Sequence, residues 1–116
     1  ADWSGVWQQE RQTTGPEPIA GVLTFEVDDR GRLTGSTNDL FPDGYQNHEL
    51  LLFQIDLSDD GRRLRGRYQS KKLPKNPNFS GSFRFEMEAD RQRFRGTYNT
   101  QERPDGSFFW RGSRIK

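Results

Sequence analysis

The chain has 116 residues and a formal net charge of +1, with 29% hydrophobic, 30% charged and 13% aromatic residues. This size suits one domain, spanning residues 1–116, and the low net charge with many aromatics argues against disorder. The absence of cysteine excludes disulfide scaffolds and thiol chemistry, and no apolar stretch reaches the ~20 residues of a membrane helix.

Eight short segments with alternating apolar residues, the pattern of β-strands, follow one another along the chain. They lie at 3–10, 20–28, 31–38, 49–57, 62–70, 82–88, 92–99 and 107–115. Three connections are tight Asp/Gly turns, whereas the other four are longer and carry all six prolines. Hairpin order throughout predicts an all-β fold, an eight-stranded antiparallel up-and-down β-barrel (a meander), because closure removes exposed sheet edges.

A glycine-centred pattern recurs at 33–37, 64–68 and 94–98, each time after an acidic turn. The repeating unit is therefore a hairpin of about 30 residues. Because alternate connections of a meander lie at opposite ends, we expect the tight turns at a closed end and the long loops at an open end. Mid-strand glycines are expected where a large aromatic neighbour approaches the backbone.

Alternation also predicts which side chains fill the barrel. In the second strand it places Leu23, Phe25 and Val27 inside. In the fourth strand it places Leu51, Phe53, Ile55 and Leu57 inside. Since the same large side chains can fill the lumen, a deep cavity does not follow from this pattern alone.

The segment Gly5-Val6-Trp7 on the first strand, with Arg114 near the end of the last, resembles the calycin superfamily of lipocalins, fatty-acid-binding proteins and avidins. The resemblance implies that Arg114 packs across Trp7 at the closed end through a cation–π contact. The repeated glycine pattern is most similar to avidin strands. Thr37 stands where avidins have a biotin-contacting tyrosine, so the resemblance implies a small-ligand barrel without the biotin-site residues.

Eight residues are candidates for ligand binding, because they point inward near the open end or lie on the long 39–48 loop. They are Gln9, Thr37, Phe41, Tyr45, Tyr68, Tyr98, Phe108 and Trp110. An aromatic rim with a few hydroxyl and amide groups fits a small hydrophobic or amphipathic ligand. The loop aromatics can cover the mouth or form an interaction surface, and the strand aromatics can equally be core.

Charge is distributed unevenly along the chain. Residues 1–58 hold 3 basic and 10 acidic groups, whereas residues 59–116 hold 15 basic and 7 acidic groups. Because consecutive strands are neighbours, we expect one acidic and one basic wall, which would let the molecule associate with further copies or a charged protein. Nucleic acid is not expected, since Glu86 and Glu88 share the face of the outward arginines and no outward aromatics interleave them.

No catalytic triad, phosphate loop or metal motif is present, and the acidic pairs Asp28/Asp29 and Asp59/Asp60 are interpreted as turn caps. We therefore expect a non-enzymatic protein without a cofactor or metal, which binds a small molecule at the open end. The alternative is a protein-interaction or inhibitor module that uses the long loops and charged walls. The sequence begins at Ala1, so we expect a processed or excised product; secretion or periplasmic export after loss of a signal peptide stays open.

Overall fold

Eight antiparallel strands form one closed barrel in the computed structural model, in chain order and with the last strand paired to the first. The structure describes residues 3–13, 15–39 and 49–115, with the backbone alone at residue 39. The predicted eight-stranded up-and-down barrel is confirmed, and every predicted strand end lies within two residues of the observed one. The strands are β1 (Gly5–Arg11), β2 (Ile19–Val27), β3 (Leu33–Asp39), β4 (Leu50–Leu57), β5 (Arg63–Ser70), β6 (Ser80–Met87), β7 (Arg93–Tyr98) and β8 (Phe108–Arg114).

A short 3-10 helix, Pro77–Phe79, precedes β6. The side chain of Asn76 caps it by accepting a hydrogen bond of 2.9 Å from the Asn78 N–H. A proline suits the start of such a turn, because its missing N–H would have no partner there. Within the described part of the chain, no helix has the length and hydrophobicity required to cross a bilayer.

The first and last strands are joined by the stacking that the sequence implied. The Arg114 guanidinium carbon lies 4.2 Å from the centroid of the Trp7 ring, and the two residues are partners in the β1–β8 ladder. Arg114 also donates a hydrogen bond of 2.9 Å to the Ser4 carbonyl. A cation over an indole face and a charge-assisted hydrogen bond both stabilise this closure.

The closed end of the barrel is filled by aromatic rings. Trp3 is fully buried, and its ring centroid lies 5.9–6.4 Å from those of Trp7, Phe25, Phe85 and Phe94. Its indole N–H donates a 2.7 Å hydrogen bond to the carbonyl oxygen of Gly61, in one of the tight turns. Trp3 therefore acts as a plug of the closed end.

Four strand glycines each lie directly across a ladder from a phenylalanine, as the sequence suggested. The pairs are Phe25–Gly35, Gly66–Phe83, Phe85–Gly96 and Phe94–Gly112. In every pair a β-carbon on the glycine would lie 3.0 Å or less from an atom of the phenylalanine ring. The glycines thus make room for the aromatic core to lie against the backbone.

In each of the three tight turns an aspartate accepts a backbone hydrogen bond, which confirms the turn-cap interpretation for Asp28 and Asp60 of the two acidic pairs. Asp28, Asp60 and Asp90 each accept a hydrogen bond of 2.9–3.0 Å from the backbone N–H two residues on. Such bonds favour the ionised carboxyl, and the pKa of all three is held below the ordinary value of 3.8. The largest cause is the Arg32 N–H for Asp28, the Ser58 hydroxyl for Asp60 and the N–H two residues on for Asp90.

We expect acid to weaken the fold through these turns. A carboxyl whose pKa is lower in the folded chain adds stability above its unfolded pKa, and this stability is lost as the pH falls through the folded pKa. The urea concentration at the unfolding midpoint should therefore decrease as the pH is lowered from about 5 to 2. The decrease should be less steep in the triple variant Asp28→Asn/Asp60→Asn/Asp90→Asn. Asp59→Asn is the control, since the Asp59 carboxylate accepts none of these hydrogen bonds. Equal steepness in the wild type and the triple variant would contradict the assignment.

The predicted interior is wrong in part of β4 and at the end of β2. Leu51 and Leu57, which were expected inside, are 39% and 44% exposed, and Val27 is 47% exposed. Leu50 and Leu52 are buried instead. The first half of β4 is therefore shifted by one residue from the prediction, which exchanges the two faces of the strand.

A β-bulge in the middle of β4 explains the mixed pattern. The β4–β5 pairing shifts between Phe53 and Asp56, so that Gln54 and Ile55 together lie opposite Gly66. Gln54 has a φ of 50°, a left-handed conformation that occurs at bulges. After the bulge Ile55 packs against the core, as predicted, while Phe53 is only partly buried.

The outer surface has a basic wall, but the opposite wall is not acidic. Outward positions on β5–β8 carry seven exposed arginines: Arg63, Arg65, Arg67, Arg84, Arg93, Arg95 and Arg111. Outward positions on β1–β3 are mostly uncharged, with Glu10 and Glu26 as the acidic exceptions among the described side chains. The expected acidic wall is therefore wrong, because many acidic groups of the first half, such as Asp28 and Asp29, lie in turns and loops.

Candidate functional site

A cavity of about 560 Å³ opens at the end of the barrel that carries the long connections. Its volume lies within the range of small-molecule sites. Side chains from six strands and three connections line it: Arg11, Thr13, Ile19, Leu50, Tyr68, Asn78, Phe79, Tyr98, Thr100, Glu102, Arg103 and Phe108. This cavity thus lies at the end that the loop lengths predicted to be open.

Aromatic rings form much of the wall and the layer beneath it. Tyr68 and Tyr98 meet the buried Trp110 edge-on, at centroid distances of 6.2 and 5.4 Å. Phe108 lies 5.4 Å from Tyr98 at the rim. Phe79, at the end of the 3-10 helix, completes the apolar surface from the opposite connection. Edge-to-face contacts of this kind fix the rings and keep the cavity walls in place.

Both tyrosine hydroxyls hold loops at the mouth. Tyr68 donates a 2.6 Å hydrogen bond to the carbonyl of Asn99, and Tyr98 donates to the carbonyl of Gln12. Burial, followed by the neighbouring Tyr98, raises the pKa of Tyr68 well above its usual value. The phenol therefore stays protonated and remains a donor at physiological pH.

Two cationic side chains, Arg103 and Arg11, line the cavity together with the acidic Glu102, and the buried one of the two is Arg11. Its side chain is only 2% exposed, and its guanidinium carbon lies 5.2 Å from the centroid of the Trp110 ring. It also donates a 3.3 Å hydrogen bond to the side-chain oxygen of Gln9. A buried guanidinium at the edge of an aromatic cavity creates a positive potential, which favours an anionic or strongly polar group nearby.

Sequence reasoning missed Arg11, although a signal for it was available. Trp7 and Gln9 were both predicted to face inward, and extending the same alternation by two residues reaches Arg11. A charged residue at an inward position signals either a buried ion pair or a functional group. The prediction ended the first strand at residue 10, whereas β1 continues through residue 11.

The predicted site residues divide into three groups. Tyr68, Tyr98 and Phe108 line the cavity, whereas Gln9 and Trp110 are buried without lining it. Thr37 is also buried, and its hydroxyl oxygen accepts a 2.8 Å hydrogen bond from the Leu50 N–H, which fixes the start of β4. Phe41 and Tyr45 lie outside the described residues.

One atom beneath the cavity has an unusual environment. The indole N–H of Trp110 is buried and has no hydrogen-bond partner among the described residues. Burying such a donor without a partner costs about 1–3 kcal/mol.

In the same described ranges, no group of three or more His, Cys, Asp or Glu side chains is arranged to hold a metal ion.

Comparisons with known proteins support the fold. No protein-family model matches the chain, and no curated protein matches it. Among solved structures, the redesigned β-barrel b11L5F_LGL is similar, with a TM-score of 0.73 and 11% identity, over 99% of this chain and 93% of that one. A second redesigned β-barrel, mFAP1 bound to DFHBI, gives a TM-score of 0.71 and 12% identity, over 97% and 95% of the two chains. At this identity the likeness concerns the eight-stranded barrel alone.

Proposed function

We propose that this protein is a non-enzymatic binding protein that holds one small amphipathic molecule at the open end of its barrel. The cavity of about 560 Å³, with aromatic walls and a buried guanidinium, is the observation that supports this function. The closed end and the middle of the barrel are filled by aromatic side chains, so a ligand would occupy the mouth and not the whole lumen.

The side chains at the mouth indicate the chemistry of the ligand. An apolar or aromatic portion would pack against Ile19, Leu50, Tyr98 and Phe108, where its burial contributes about 25 cal/mol per Å². A polar or anionic end would lie toward Arg11, where the low-dielectric surroundings strengthen its attraction to the guanidinium. A fatty acid or an aromatic carboxylic acid has both an apolar portion and an anionic end.

Two further observations support this proposal. A structurally similar barrel, mFAP1, is bound to the small molecule DFHBI, so an eight-stranded barrel of this size has room for such a ligand. The stacking of Arg114 on Trp7 accords with the calycin resemblance of the sequence. We therefore include a distant relationship to the calycins in the proposal.

Filling the cavity should remove binding without unfolding the barrel. Ile19 lines the cavity, and Ile19→Trp places a large ring where the ligand would lie. The probe is 8-anilinonaphthalene-1-sulfonate, an aromatic anion followed by its fluorescence. We expect saturable 1:1 binding to the wild type and binding at least about tenfold weaker to Ile19→Trp, a loss of about 1.4 kcal/mol.

The matched control is Thr24→Trp, which adds the same ring to β2 at an outward position. It should bind the probe within about twofold of the wild type, since a nearly unchanged affinity corresponds to a few tenths of a kcal/mol. Thermal melts check that both variants fold. Equal binding by all three proteins would place the probe elsewhere and contradict the proposal. If the probe binds as expected, native mass spectrometry of protein purified from its own host would report the mass and stoichiometry of the natural ligand.

A further inference from the structure

The basic wall contains three arginines that form no ion pair within the described part of the chain. On one rung of the sheet, Arg63 and Arg95 both approach Glu86, at 3.7 and 3.9 Å. On the neighbouring rungs, Arg65, Arg67 and Arg84 form no ion pair with any described carboxylate. The wall therefore combines a rung whose positive charge is partly offset by Glu86 with a compact cluster of guanidinium groups that form no ion pair with the described carboxylates.

Arg65 lies between a carboxylate and a second guanidinium, since its direct ladder partners are Asp56 of β4 and Arg84 of β6. Arg65 and Arg84 are direct partners in the β5–β6 ladder, and like charges directly opposite each other destabilise a sheet. Arg67 lies two residues from Arg65 on the same face, at roughly 7 Å along the strand. Three forked donors within this distance match the oxygens of a single phosphate group, which arginine binds through paired hydrogen bonds.

A groove beside the cluster offers space for the rest of a ligand. All three arginines border it, together with Phe53 and Ile55 of the bulged part of β4, and its volume is about 850 Å³. Arg32 also borders the groove, as do the carboxylates of Asp28 and Asp56. The groove is present because β4 leaves β3 after Gly35–Leu52, where the ladder between the two strands ends. Partly buried apolar side chains next to guanidinium groups suit a small organic phosphate.

We propose that Arg65, Arg67 and Arg84 form a second binding site, on the outside of the barrel, for a small phosphate monoester. This site is independent of the cavity at the open end. A long polyanion fits less well, because beyond the cluster it would meet the carboxylate of Glu86, which lies two residues from Arg84 on the same face of β6.

The test is a titration followed by the side-chain Nε–H signals of arginine in NMR spectra, at about 0.15 M salt to screen long-range effects. Phenyl phosphate should shift the signals of the three arginines saturably. It should bind several times more tightly than inorganic phosphate, because only the ester can use the groove. Phenol alone should leave these signals unchanged. A non-saturating response, or shifts spread evenly over all arginines of the wall, would overturn the site.

Two charge-matched variants separate the site from general electrostatics. Arg84→Glu should weaken phenyl phosphate binding at least about tenfold, while raising the melting temperature by about 1–4 °C, because it converts a like-charge pair into an opposite-charge pair. Arg95→Glu changes the net charge equally but breaks a pair with Glu86. It should bind within about threefold of the wild type and melt at a lower temperature.

Equal loss of binding in the two variants would show diffuse attraction and overturn the proposal. The proposal would also be overturned if the protein bound duplex DNA more tightly than phenyl phosphate and if both variants bound the DNA more weakly. That result would indicate a polyanion as the ligand. Arg84→Gln provides a second removal of the charge if Arg84→Glu fails to fold, and it should also weaken binding at least about tenfold.

Discussion

Trp3→Ala should lower the free energy of unfolding by about 3–5 kcal/mol, the range for removing a large buried aromatic side chain. Trp3 is completely buried and contacts four other aromatic rings at the closed end. Its removal leaves a cavity that the rigid barrel cannot collapse to fill. Since a small domain is stable by only about 5–15 kcal/mol, this loss is a large fraction of the total. Urea denaturation measures it directly.

Trp3→Phe is the matched control for this prediction. Phenylalanine keeps most of the packing but loses the indole N–H that donates to the Gly61 carbonyl. We expect a smaller loss of about 1–2 kcal/mol. A loss of unfolding free energy below about 1 kcal/mol for Trp3→Ala would show that Trp3 is not the plug of the closed end.

Gly96→Ala should be among the most destabilising single substitutions of a small residue in this chain, at about 3 kcal/mol or more. A β-carbon at this position would collide with the backbone carbonyl of Arg84 and come closer than 3.0 Å to the ring of Phe85. The carbonyl belongs to the neighbouring strand β6, so relief requires the two strands to separate. In an ordinary strand the same change stabilises, because alanine restricts the unfolded chain.

Alanine substitutions at two other glycines allow the stability loss at Gly96 to be ranked. At Gly35 a β-carbon would meet side-chain atoms at 3.0–3.2 Å, so Gly35→Ala should cost less, about 1–2 kcal/mol. At the exposed Gly15 the nearest atom is 3.4 Å away, and Gly15→Ala should change stability by less than about 0.5 kcal/mol. Denaturation midpoints of the three variants give the order. A Gly96→Ala protein as stable as the wild type would show that the strands tolerate a wider spacing.

The ambiguous part of the fold was the run from Leu50 to Phe53. Four consecutive large apolar residues permit two registers, and alternation cannot choose between them. The choice depends on pairing with β3 and β5, which are distant in sequence, and on the bulge at Gln54. No glycine or asparagine marks this bulge, so the usual local signal for a left-handed residue is missing.

The candidate site was predictable in outline but not in composition. Tyr68, Tyr98 and Phe108 follow from strand alternation and from loop lengths that identify the open end. Arg11 lies one step beyond the predicted end of β1, and Phe79 lines the cavity from a connection whose path depends on the 3-10 helix. Side chains contributed by connections are difficult to predict, because their direction follows from packing and not from a regular period.

The sequence by itself determined the eight strands, the tight turns and the glycines that face the aromatic core, whereas the closing pair of Trp7 and Arg114 was implied by the resemblance to calycins. These features depend on local periodicity and on residue types with restricted roles. Only the tertiary structure decided the register of β4, the burial of Arg11, and the gathering of Arg65, Arg67 and Arg84 on one face without an ion pair to the described carboxylates. Each of these depends on which residues of distant strands lie side by side, and that is set by the closure of the barrel.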